Sequence, residues 1–187
     1  MIDLVEITIT EFKKNIYPEY KKIFPSLERK PYHIIKKLVN KNFCTILKIV
    51  NNNETIGFFI INIVNNYVQI DYFAIFDKYQ SKGYGTQALK TLQIKYQNSN
   101  GLFIEIEKIG LGTTDAENAL RQRRYNFYSR LGFTALDFDL LLYGVIYTPC
   151  CYNFADINNK QLAINTIFDF YYLIRKKKII DKFCKVI

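Results

Sequence analysis

The sequence has no tryptophan, one histidine, one methionine and four prolines. Its four cysteines (Cys44, Cys150, Cys151, Cys184) show no Cys-x-x-Cys spacing, and with one His beside them no metal site is expected. The absent indole leaves Tyr and Phe, 15 of each, to supply the aromatic volume of the core. No stretch approaches the roughly 20 apolar residues that a membrane span needs. The opening residues, Met1 to Glu6, lack the basic-then-apolar order of a signal peptide. There is no repeat, Pro-rich linker or low-complexity tail. One domain over residues 1–187 is therefore expected, in a reducing cytoplasm that keeps thiols free.

What is present is an ordinary globular balance, 49% apolar and 23% charged over 187 residues, enough to bury a full-sized core. The net charge is +9, spread over Lys13-Lys14, Lys21-Lys22, Lys36-Lys37, Arg121 to Arg124 and Arg175 to Lys178. A basic surface favours polyanions: nucleic acid, anionic membrane or a phosphate-rich cofactor. The cations are scattered and no helix-turn-helix or zinc pattern accompanies them, so no specific nucleic acid is expected as a partner; no membrane is expected either, for want of a long apolar run.

The apolar pattern predicts a strand at Leu4–Thr8 and a helix capped by Thr10 with Phe12, Ile16, Tyr20 and Ile23 on one face. Pro25-Ser26 ends it, and a second helix runs from Pro31 to about Asn42. Three strands follow at 43–50, 56–64 and 67–76, joined by the asparagine turns 51–53 and 65–66. Next come a helix opened by residues 81–85, a strand at 102–107 and a helix at about 117–131 closed by Gly132. Further strands fall between Phe133 and Phe154. A long last helix over about 158–182 carries the stripe Ile164, Ile167, Phe168, Tyr171 and Ile174. Such mixing predicts an α/β domain with one central sheet and helices on its faces.

The chemistry concentrates at Phe73-Ala74-Ile75-Phe76-Asp77-Lys78-Tyr79-Gln80-Ser81-Lys82-Gly83-Tyr84-Gly85-Thr86. A strand enters a Gly-containing loop that opens directly into an amphipathic helix. That order aims backbone N–H groups at one point, at the positive end of the helix dipole, where phosphate is the natural ligand. Gly83 and Gly85 let backbone approach a pyrophosphate, and Lys82 adds a cation. A Walker loop would need Gly-Lys-Ser/Thr at its end, and a dinucleotide fingerprint would need a parallel βαβ unit rather than a meander.

Gln80-Ser81-Lys82-Gly83-Tyr84-Gly85 resembles the Arg/Gln-x-x-Gly-x-Gly/Ala motif of the GNAT acetyltransferases. Phe127-Tyr128-Ser129-Arg130-Leu131-Gly132-Phe133 is similar to the same family's Phe/Leu-Tyr-x-x-x-Gly-Phe, in the right order and spacing. Phe24-Pro25-Ser26-Leu27-Glu28-Arg29-Lys30-Pro31 looks like a Phe-Pro-x-x-Glu-Arg stretch of one bacterial subgroup. The resemblance implies a mostly antiparallel sheet of six or seven strands with a splayed central pair. It also implies acetyl-CoA as co-substrate and direct acetyl transfer to an amine of a small molecule or peptide.

By the same resemblance, residues 80–86 bind the CoA pyrophosphate through backbone amides. The backbone of Phe73, Ala74 and Ile75 holds the pantetheine arm and polarises the thioester. Tyr128 is the general acid, a phenol that stays protonated at neutral pH, although it is also one of many core-type tyrosines. The base is open among Glu105, Glu107 and Asp71, each equally readable as an ordinary strand residue. His33, the lone histidine, reads as surface or packing. Arg121 and Arg124 share a helical face with Tyr125 and Tyr128, either reaching cofactor phosphates or forming a solvated face. Many family members have Asn where Arg121 stands, a contact to CoA that this chain must remake or lose. The departure keeps open a second class, a GNAT-fold module that senses acyl-CoA without turnover. The last helix can pack on its own domain or make a homodimer.

Overall fold

Asparagine pairs turn the chain in the computed structural model, which describes residues 2–26 and 28–187. Asn52-Asn53 and Asn65-Asn66 all have positive φ, between 48° and 63°, the conformation that tight hairpins demand and that Asn tolerates. The strands they join are β1 (Ile2–Glu6), β2 (Cys44–Asn51), β3 (Glu54–Val64) and β4 (Tyr67–Ile75). Met1, and Leu27 within the Phe24–Pro31 run, lie outside the described residues.

The chain forms two packed units, one of residues up to Ile63 with Ile70–Gln97, the other of Val64–Gln69 with Asn98–Ile187. Strand β4 contributes to both. In the first unit β1 pairs antiparallel with β2 and β2 with β3, and β4 lies next to β3. The helical lead-in is α1 (Ile9–Glu11), a π turn at Phe12–Ile16 and α2 (Tyr17–Ile23). The cap is Thr8 rather than Thr10, its Oγ1 accepting from the Glu11 N–H at 3.1 Å. Phe12, Ile16 and Tyr20 recur every four residues, more than one α turn, and the wider π turn brings all three into the core. Helix α3 (Tyr32–Asn40), entered through Pro31, buries Ile35 and Leu38. β3 is buried without a break from Ile56 to Ile61. Helix α4 (Tyr84–Lys95) completes this unit, burying Ala88, Leu89 and Leu92.

In the second unit the start of β4 pairs in parallel with β5 (Gly101–Glu107), and only over Tyr67–Gln69 with Gly101–Phe103. β5 then pairs antiparallel with β8 (Val145–Tyr152), which also carries the two-residue β6 (Thr134–Ala135) and β7 (Leu140–Leu142). Helix α5 (Asp115–Ser129) is capped by Thr114, and Gly132 at φ 86° turns the chain just beyond its end. Phe103, Leu140, Phe154, Ile167 and Phe170 anchor the core.

Two expectations need correction here. The described strands number nine rather than six or seven, because short pieces near the C-terminus pair as well. The last helix is not continuous over 158–182: α6 (Lys160–Ile174) stops, and α7 (Lys177–Phe183) starts after Arg175 and Lys176 adopt extended backbone. The break turns the chain so that β9 (Cys184–Val186) can add to β7 and bury Cys184. Neither Gly nor Pro marks it, only a run of four cations that would repel one another along one helix.

Candidate functional site

In the first unit β4 delivers Phe73, Ala74 and Ile75 to the loop. Ala74 is buried, and the Phe73 ring stacks on Phe59 at 4.3 Å between centroids. A 3-10 turn at Asp77–Tyr79 follows. Gln80 then folds back, its amide donating to the Ile75 carbonyl at 3.0 Å and to Asp77 Oδ1 at 3.1 Å. Ser81 at φ 61° and Gly83 at φ 78° reverse the chain into α4. Gly83 is the N-cap, and no side chain caps the N–H groups of the first turn. The Lys82 ammonium donates to the Lys78 carbonyl and lies 5.9 Å from the Tyr79 ring centre. Gln80, Ser81, Lys82 and Gly83 are exposed, and Tyr84, Gly85 and Thr86 half-exposed. The loop thus presents uncapped N–H groups at the positive end of a twelve-residue helix.

Asp71 is not available in the same way. Both its oxygens accept from the Lys30 ammonium at 2.5 Å, and only 11% of its side chain is accessible. Lys30 is fastened through all its polar groups. Its N–H donates to the Tyr72 hydroxyl at 3.0 Å, and its carbonyl accepts from the Tyr20 hydroxyl at 3.2 Å. Burial pushes the Tyr20 and Tyr72 phenols up, and the Cys44 thiol to about 12. The cluster staples the segment after α2 onto β4. Lys30→Met, which strands a nearly buried carboxylate, is expected to cost about 2 kcal/mol in urea unfolding, reduced from the fully buried case by the pair's partial exposure. The loss should shrink when Asp71→Asn is added; additive losses would mean that the pair is not coupled.

The other candidates belong to the second unit. Glu105 accepts from the Gln69 amide at 2.9 and 3.2 Å, which links β5 to the start of β4. Glu107 is instead engaged by Arg124 and, at 3.7 Å, by Arg121. Arg121 also donates to the Lys108 carbonyl at 2.9 Å. The structure therefore gathers a predicted base and two predicted phosphate ligands into one ionic cluster between β5 and α5.

Tyr128 ends its helix buried, its ring edge-on to Phe127 and Phe133 at 5.0 and 5.6 Å. Desolvation raises its phenol above the ordinary range, Arg124 pulling the other way. Among the described residues its hydroxyl makes no hydrogen bond. Burial also lifts the Cys150 thiol to about 12 and the Cys151 thiol to about 11, so neither carries appreciable thiolate at neutral pH.

Sequence reasoning missed Lys30, Gln69 and Gly57. Lys30 sits 41 residues from its partner, with no local signal. Gly57 did leave one, a glycine inside a strand pattern. A Cβ there would lie 2.3 Å from the Ala74 carbonyl oxygen, so β3 and β4 approach more closely than any side chain permits.

The sequence profile of the acetyltransferase (GNAT) family matches residues 9–133, well over half of the chain. No curated protein sequence matches. Among solved structures, a Bacteroides thetaiotaomicron protein described as an acetyltransferase from the GNAT family superposes with a TM-score of 0.74 at 18% identity, covering 92% of this chain and 99% of its own. An aminoglycoside 6'-N-acetyltransferase from Enterococcus faecium gives 0.60 at 13% identity, covering 81% and 96%. A GNAT family acetyltransferase from Elizabethkingia anophelis, solved with acetyl-CoA bound, gives 0.52 at 17% identity, covering 81% and 97%. At these identities the likeness is one of fold.

Proposed function

The chain belongs to the acetyltransferase (GNAT) family, and from that premise we propose that it is an acetyl-CoA-dependent N-acetyltransferase. It acetylates a primary amine of a small molecule or peptide by direct transfer in a ternary complex. The observation that carries this reading is the Gln80–Gly85 loop, with Ser81 and Gly83 at positive φ and α4 uncapped behind them. Backbone amides of residues 81–86 bind the pyrophosphate, and the backbone of Phe73–Ile75 holds the pantetheine arm. Lys82 adds charge near the phosphates.

In the transfer, the neutral amine attacks the thioester carbonyl carbon, a C–N bond forms and the C–S bond breaks. Tyr128 donates its proton to the departing sulfur. One carboxylate among Glu105, Glu107 and Asp71 takes the proton lost by the amine nitrogen, directly or through water. Each of the three is engaged by a neighbour, Glu105 by the Gln69 amide, Asp71 by Lys30 and Glu107 by the two arginines. Arg121 and Arg124 then order β5 against α5, and their part in cofactor binding is secondary. That commitment of Arg121 favours one alternative, a module that binds acyl-CoA without turnover.

Calorimetric titration with acetyl-CoA, followed by CoA release over a panel of amines, tests the reading. Gly83→Ala should weaken acetyl-CoA binding about tenfold, because a Cβ at φ 78° is strained although nothing lies within 4 Å of it. Wild-type binding with no turnover on any amine would select the sensing module. No binding at all would remove the assignment of the loop.

A further inference from the structure

Between residues 175 and 187 the chain carries six cations and a single acid, Asp181, which is paired to Lys177. The same corner of the second unit exposes apolar side chains that the fold does not use. Ile179 and Phe183, one helical turn apart on α7, are 38% and 45% accessible, while Ile180 between them is buried. Tyr143, which follows β7, is 52% accessible and stacks on Phe183 at 6.0 Å and 16°. Helical spacing puts Lys178 and Lys182 beside the Ile179–Phe183 flank, and Arg175, Lys176 and Lys185 are exposed near it. An apolar prong results, rimmed by cations that have no acidic partner among the described residues.

We propose that this corner docks on an anionic lipid surface, with Ile179, Phe183 and Tyr143 entering the headgroup boundary and the lysines meeting lipid phosphates. The chemistry discriminates among partners. A two-fold contact with a second copy would bring like cations face to face. Nucleic acid would use the cations but not the aliphatic prong, and Phe183 offers no free ring face for a base: Tyr143 covers one, and the Lys182 ammonium sits 5.4 Å from the ring centre. An interface with lipid uses both features at once, apolar insertion and attraction to anionic headgroups. Among the described residues no helix is long and apolar enough to cross a membrane, so the association is peripheral. It departs from the expectation of no membrane partner, which considers spanning segments only; the fold concentrates apolar side chains among one group of cations.

Cosedimentation of the full chain with vesicles decides the matter. Binding to mixed phosphatidylcholine–phosphatidylglycerol vesicles, absent with phosphatidylcholine alone and falling as salt rises, is expected. K178Q/K182Q should lower the partition coefficient roughly 30-fold. Phe183→Ser should lower it with the charge unchanged; if that variant misfolds by thermal melt, Ile179→Ser at an exposed position replaces it. Failure of the wild type to bind anionic vesicles overturns the proposal. So does binding insensitive to loss of the apolar prong, which would mean adsorption to any polyanion, as does a dimer in sedimentation equilibrium that the same substitutions dissolve.

Discussion

Replacing Tyr128 by Phe is expected to lower kcat by about 10²- to 10⁴-fold, with the acetyl-CoA dissociation constant nearly unchanged. The substitution removes one oxygen and keeps the ring that packs against Phe127 and Phe133. The backbone is also kept, since the bonds that close the helix, from Leu131 and Phe133 N–H to the Tyr128 carbonyl, do not involve the side chain. Stability should therefore change little, and a fall in rate reports the missing proton. Burial raises this phenol, so it stays protonated through the neutral range and its loss as a donor comes only above pH 10. The same sign governs stability: a buried phenol costs nothing below its unfolded value near 10, and destabilises only as the pH climbs past it. A desolvated phenol is a weak acid, but a thiolate leaving in the same dry surroundings is a correspondingly strong base. Rate against pH, measured in both proteins up to pH 9, separates the roles. The wild type should rise with the base and then stay level, and the variant should follow a parallel curve far below. An unchanged kcat would return Tyr128 to the core tyrosines.

How much of this was legible beforehand depended on sequence distance. The loop at 80–85 was legible because its glycines, its preceding strand and its following helix are contiguous, and each constrains backbone directly. The hairpins were legible through their asparagines, which are among the few residues that accept positive φ. Thr8 is hard to read as a cap because Thr10 lies nearer the apolar run and the π turn moves the register. The Lys30–Asp71 staple and the Glu107 cluster were not legible at all. Strand parity put Glu105 and Glu107 on one side, and helix spacing put Arg121 and Arg124 on one face. Which carboxylate those arginines meet depends on how α5 lies on β5, and neither period contains that. The break at Arg175 is only half legible: the apolar stripe stops at Ile174, with Lys178 and Lys182 at its next helical positions, but no Gly or Pro marks the stop, and pairing of β9 with β7 is what rewards it.

Gly57→Ala should be the most damaging small substitution in the first unit, and it tests the role assigned to β4. The pairing of β2 with β3 slips between Ile49 and Val50, so that Ile49 faces Gly57 and Val50 faces Thr55, leaving Ile56 as the extra residue of a bulge. On the β4 side of this bulge the Phe76 N–H donates to the Ile56 carbonyl at 2.9 Å. An added Cβ would meet the Ala74 carbonyl oxygen at 2.3 Å and the Ile75 Cα at 3.1 Å. Both are backbone atoms, so the strain cannot be relieved by rotating a side chain. The expected cost is about 2–3 kcal/mol of stability by urea unfolding. If the Ala74–Ile75 backbone holds the pantetheine arm, acetyl-CoA affinity should also drop at least roughly tenfold, the equivalent of about 1.4 kcal/mol in binding. A nucleotide fragment lacking the arm, 3',5'-ADP, should lose less affinity than acetyl-CoA, because it makes no use of the Ala74–Ile75 backbone and feels the clash only through the Gln80–Ile75 hydrogen bond. Equal losses for both ligands would mean that the fold has been loosened as a whole. An unchanged affinity for acetyl-CoA in a measurably destabilised protein would take the pantetheine arm away from this stretch of β4.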